Sequence, residues 1–193
     1  TDRITFIGAG DCGPVHGPKD GFPLQRYSEL VGPVLAAADL RFVNCERQYS
    51  ARGTVNPDKP HACQPPEMAR IFSDCGFDVA SIANNHMYDF GPDALLDTRA
   101  LLRGRGIAAI GAGCDLDEAR QPAVVERNGI RTGFLAYCSV LPKDGAAGPG
   151  RIGIAPLRVK TAYEQRGPHA PVRVLTEPDP GDLRMILDDI AAL

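Results

Sequence analysis

The sequence predicts an α/β fold in which a parallel or mostly parallel sheet is flanked by helices. Two observations predict it. Short apolar, partly β-branched runs alternate with longer runs of helical spacing, the trace that strand–helix–strand units leave in a chain. At 193 residues, with 44% apolar and 23% charged residues, the chain is long and apolar enough to bury one substantial core.

In chain order, residues 4–8, 40–43, 79–83 and 107–110 are brief and apolar and read as buried strands. Between them, residues 24–38, 66–75 and 92–105 have helical spacing. In the last of these Leu95, Leu96, Arg99 and Leu102 share a face, and Pro92 suits a first helical position. After Gly113 the pattern changes. Residues 122–127 and 130–137 read as two strands joined by a tight turn at Asn128-Gly129. Residues 141–180 are rich in Gly and Pro and predict a long ordered excursion with short strands near 153–161 and 172–176. Residues 180–193 return to helical spacing, opened by Asp179 or Pro180, and reach Leu193 without a Gly, Asn or Pro stop signal. That ending predicts a continuation in a further segment or a second polypeptide.

The bulk properties narrow the function classes. Net charge is −3, and no basic run stands out, which argues against nucleic acid as a partner. No apolar stretch reaches the roughly 18–20 residues of a membrane span, and the first residues lack a signal-peptide core. The expected location is the cytoplasm, or the cell envelope if a targeting segment has been removed. Six scattered cysteines without a C-x-x-C pair predict free thiols rather than a disulfide framework.

Three polar groups follow predicted strands: Gly10-Asp11-Cys12, Asn44-Cys45-Glu46 and Asn84-Asn85-His86. In open parallel sheets ligands bind outside the carboxyl ends of the strands, so these groups should meet at one edge. Asn44 and Glu46, two apart on an extended strand, should point the same way and Cys45 the other. Two carboxylates, an amide oxygen and an imidazole form a ligand set suited to a hard or borderline divalent cation such as Mn, Zn or Mg. Such an ion activates water and polarises a phosphoryl or carbonyl oxygen. His86 would assist the leaving group, with Asp89 orienting its ring.

The strings Phe6-Ile-Gly-Ala-Gly-Asp11, Ala38-Asp-Leu-Arg-Phe-Val-Asn44-Cys-Glu46 and Gly76-Phe-Asp-Val-Ala-Ser-Ile-Ala-Asn-Asn-His86-Met-Tyr-Asp89-Phe-Gly91 resemble the CapA/PgsA-like family of capsule (poly-γ-glutamate) synthesis proteins. So do Gly106-Ile-Ala-Ala-Ile-Gly-Ala-Gly113 and Glu118-Ala-Arg-Gln-Pro122, in order over about residues 3–160. The resemblance implies kinship with calcineurin-like metallophosphoesterases and a sandwich of mixed sheets flanked by helices. Residues 1–193 would be the N-terminal part of one such domain. It places Asp11, Glu46 and Asn85 on metal-binding positions and His86 on the catalytic imidazole. It further implies a metal-dependent hydrolase of a phosphoester or γ-glutamyl amide, or a non-catalytic accessory that binds an anionic polymer such as poly-γ-glutamate. Asn44, Asn84, His16 and His61 are candidate substrate contacts. The sequence departs from the parent superfamily at Gly13, where a histidine is expected; His16 stands nearby. The family's later histidine motifs would fall beyond Leu193, in a further segment or a second polypeptide that completes the site.

Competing readings fare less well. Gly8-Ala-Gly-Asp-Cys-Gly13 fits a dinucleotide fingerprint, but Pro14, Gly17, Pro18, Gly21 and Pro23 follow where a helix should open. His61 and Cys63 with Cys12 or Cys45 are a conceivable zinc set that lacks paired spacing. Taken singly, Asp11 is a turn residue, Glu46 a solvated strand end and Asn85 a left-handed turn residue.

Overall fold

A computed structural model describes residues 3–54 and 63–193. Its centre is a four-stranded parallel sheet in the order β1 (Phe6–Cys12), β2 (Leu40–Cys45), β3 (Val79–Ser81) and β4 (Ala108–Ile110). The α/β class with a parallel sheet is as expected. The first two strands run further than the apolar pattern marks, because their last residues are polar: Asp11, Cys12, Asn44 and Cys45 lie inside the ladder. A register irregularity between Gly8 and Asp11 bends β1 just before its carboxylate.

Residues 24–38 do not form one helix. They break into α1 (Arg26–Glu29) and α2 (Gly32–Ala36), since Pro33 lacks an N–H and bars helix through its predecessor. Residues 66–75 form a 3-10 turn, Pro66–Ala69, that runs into α3 (Arg70–Asp74). The helix α4 spans Gly91–Arg103 and buries Leu95, Arg99 and Leu102 on the predicted face.

Strand alternation sorts the sheet's two faces. Val43, Cys45, Ala80, Ile82 and Ala109 join Ile71, Phe72, Leu95 and Leu102 of the helices in the main core. On the other face Phe42, Val79, Ala108 and Ile110 meet Ala123, Val125 and Phe134. These last come from the antiparallel hairpin β6 (Ala123–Arg127) and β7 (Ile130–Phe134), which follows a short β5 (Ala112–Gly113) and α5 (Leu116–Ala119). Asn128 and Gly129 turn with φ of 51° and 78°, the left-handed pair that a two-residue hairpin requires. Sheet thus packs on sheet on one side and helices cover the other.

The Gly- and Pro-rich excursion is ordered. It returns as β8 (Gly153–Ile154) against β5, then forms a hairpin of β9 (Val159–Glu164) and β10 (Arg173–Pro178). The helix α6 (Pro180–Ala192) starts on Asp179, whose Oδ1 accepts the N–H groups of Gly181 and Asp182. Asp182 and Asp189 hold it to the body through Arg158 and through Arg120 with Tyr137. All six cysteines are free. No helix among the described residues is long and apolar enough to cross a membrane.

Candidate functional site

At the carboxyl ends of β1, β2 and β3 the polar groups meet. Asp11 pairs in register with Asn44, and Asn44 with Ser81, so one row of the sheet carries them side by side. Hydrogen bonds continue along the row. Asn84 Oδ1 accepts the His86 N–H at 3.0 Å, and its Nδ2 donates to the Cys45 carbonyl at 2.8 Å and to Asn44 Oδ1 at 3.1 Å. Asn44 Nδ2 then donates to Asp11 Oδ1 at 2.6 Å. The two backbone partners fix which end of the Asn84 amide is oxygen, and that in turn fixes Asn44.

Cys45 turns into the core, as strand alternation demands, and leaves Asn44 and Glu46 on the site side. Glu46 continues the strand through its N–H to the Cys12 carbonyl at 3.1 Å. Its Oε1 lies 3.8 Å from His86 Nε2. On the other side of the ring, His86 Nδ1 is 2.8 Å from Asp89 Oδ2. Asp89 is buried and its carboxylate can only accept, so Nδ1 carries the proton and Nε2 is presented toward Glu46. The turn that holds both residues follows β3 directly and ends where α4 begins. Gln48 braces that junction, accepting the Phe90 N–H at 2.6 Å and donating to the Gly91 carbonyl at 3.1 Å.

The structure therefore brings Asp11, Asn44, Glu46, Asn84, His86 and Asp89 to one corner. Asn85 is exposed on the same turn. His16 has its backbone tied to the Tyr27 hydroxyl and its ring 6.4 Å from Phe22. His61 lies outside the described residues. Cys63 donates to the carbonyls of Gln48 and Ser50. Burial, with Cys75 and Glu46 nearby, pushes the Cys12 thiol up to about 12, and burial raises Cys45 as well; neither is a ready thiolate.

Among the described residues no three His, Cys, Asp or Glu side chains are gathered so as to hold a metal ion by themselves. The donors at this corner are nonetheless of the kind a hard or borderline cation takes: carboxylates on Asp11 and Glu46, and the amide of Asn85. Space beside Glu46 is kept open by Gly13, where a Cβ would stand 2.7 Å from Glu46 Oε2. A side chain at position 13 would have to displace the end of that flexible carboxylate side chain.

Two residues here escape a reading by motif. Arg47 donates from Nε to the Gly13 carbonyl at 3.1 Å, and Gln48 is buried behind the site. The only signal for Arg47 is its place directly after Glu46.

The family described as Bacterial capsule synthesis protein PGA_cap matches residues 5–193. A probable polyglutamine synthesis accessory protein of Mycobacterium tuberculosis is 33% identical over 155 residues, which cover 78% of this chain and 40% of that protein. The PGA biosynthesis protein CapA of Bacillus subtilis is 27% identical over 131 residues, 66% of this chain and 34% of the relative. The capsule biosynthesis protein CapA of Bacillus anthracis is 26% identical over 111 residues, 55% of this chain and 27% of the relative. The aligned part thus makes up no more than 40% of the length of these relatives. With a match over nearly its whole length, the chain belongs to the bacterial capsule synthesis protein family.

Proposed function

We propose that this chain carries the hydrolytic corner of a metal-dependent enzyme of capsule or poly-γ-glutamate metabolism, acting on a phosphoester or a γ-glutamyl amide. The observation that supports this most is the His86–Asp89 pair, whose Nε2 lies 3.8 Å from Glu46 Oε1 at the strand ends. A divalent ion (Mn, Zn or Mg) would be held by Asp11, Glu46 and Asn85. When bound, it would supply an activated water and charge stabilisation for the substrate oxygen. With both ring nitrogens protonated, His86 would give a proton from Nε2 to the departing oxygen or nitrogen and keep the Nδ1–H that Asp89 accepts and that holds the ring in place. Asn44 and Asn84 keep the Asp11 carboxylate oriented toward the corner. A further segment or a second polypeptide would add the remaining ligands.

A second reading, a polymer-binding accessory without catalysis, draws support from the M. tuberculosis relative, whose name is that of a synthesis accessory protein. Turnover of a model phosphodiester and of a γ-linked glutamate oligomer, with Mn, Mg or Zn added, separates the two. His86→Ala should lower turnover at least ~100-fold and Asp89→Asn ~10–100-fold, with the fold intact by circular dichroism. Undiminished turnover in His86→Ala would remove the imidazole from the chemistry. Bound metal absent by elemental analysis, no turnover and retained polymer binding would establish the accessory reading.

A further inference from the structure

Arg47 stands beside Glu46 and has no part in the chemistry described so far. Its Cγ and Nε and the Glu46 Oε2 all lie within 3.0 Å of the point where a Gly13 side chain would begin. The bond from Nε to the Gly13 carbonyl anchors the guanidinium at the ends of β1 and β2. Arg41, Arg52, Arg99, Arg120, Arg127 and Arg158 are each matched to an Asp or Glu. Among the described residues Arg47, like Arg105 and Arg151, has no ion pair, but it alone of these three stands beside Glu46. It is half-buried, and a guanidinium stays charged throughout the ordinary pH range.

An arginine anchored through Nε and without a direct ion-pair contact can turn its terminal N–H groups to an oxyanion. The chain's net charge of −3 offers an anionic substrate no general attraction, so recognition needs a local fixed cation. We propose that Arg47 is the anion-recognition residue of this corner, gripping a substrate carboxylate or phosphate oxygen next to Glu46. The assignment rests on the reading of the corner as a substrate site.

Calorimetric titration of the full chain with inorganic phosphate and with a γ-linked glutamate oligomer tests it. The wild type should bind at least one of the two. Arg47→Gln should weaken that binding at least ~10-fold, and Arg47→Lys, which keeps the charge but loses the fork, at least ~3-fold. The probe whose affinity falls tells a phosphoryl substrate from a carboxylate one. Should Arg47→Gln fail to fold by circular dichroism, Arg47→Lys carries the test alone. Unchanged affinity in the folded variants, or no binding of either probe by the wild type, overturns the proposal. Full turnover retained by His86→Ala would sink the catalytic reading while the Arg47 assignment, read from binding alone, stands.

Discussion

Gly10 and Gly13 lie three residues apart at the end of β1, and their surroundings make opposite demands. Around Gly10 nothing lies within 4 Å of an added Cβ, whereas at Gly13 the added carbon meets Glu46 Oε2 at 2.7 Å and Arg47 Cγ at 2.9 Å. Gly10→Ala should be neutral or slightly stabilising. Gly13→Ala should displace both charged side chains at little cost in stability, since both are flexible and half-buried, yet lower turnover or anion affinity at least ~10-fold. Urea unfolding together with the titrations above would measure both; a Gly13→Ala protein indistinguishable from wild type would mean the corner tolerates a moved Glu46. Asp11, Glu46 and His86 were legible in the sequence because each polar group abuts an apolar run, and sheet topology carries such ends to one edge. Arg47 and Gln48 were not. Their importance lies in contacts to Gly13 and to residues 90 and 91, which no local pattern encodes.

Elements were legible in proportion to how much their apolar residues alone define them. The face of α4 and the hairpin at Asn128-Gly129 came through because periodicity and turn chemistry both speak locally. The polar ends of β1 and β2 did not, since apolarity stops before pairing does. The break between α1 and α2 was signalled by Pro33 and outvoted by the apolar spacing around it. Between α4 and α5 a tertiary tie adds stability that no pattern shows. Burial alone would raise the Glu118 carboxyl, but the Cys114 N–H at 2.7 Å and the Arg99 guanidinium at 2.5 Å draw it down to about 2. A carboxyl lowered on folding stabilises above its unfolded value, near 4.3, and that contribution fades as pH falls through about 2. Glu118→Gln should therefore cost on the order of 2 kcal/mol at pH 7, a figure reduced for the solvent that still reaches the side chain. The deficit should shrink steadily below about pH 4. Chemical denaturation at several pH values would show it, and a deficit constant from pH 7 to pH 2 would point to packing instead.

On the scale of the whole molecule, the two faces of the central sheet are covered by different means. Phe134 of the hairpin lies parallel to Phe42, with ring centroids 5.9 Å apart, and 6.0 Å from Phe6, so the β6–β7 layer is joined to the sheet through aromatic contact. Arg127 adds an ion pair with Asp78 at 2.7 Å. Phe134→Ala should cost about 2–3 kcal/mol in urea unfolding; a loss under ~1 kcal/mol would make the hairpin an ornament rather than a layer. The edge strand β1 poses a different problem. Glycines at 8 and 10 and an irregular stretch before Asp11 leave it little apolar patterning with which to choose its alignment on β2. The amide bridge from Asn44 to Asp11 makes that choice. Slipping by a single residue would bring Gly10 or Cys12 opposite Asn44, and neither has an oxygen on its side chain to accept the amide proton. The same few atoms that order the polar corner thus act as the sheet's alignment key, so that a chain folded out of step would also be one in which that corner is not assembled.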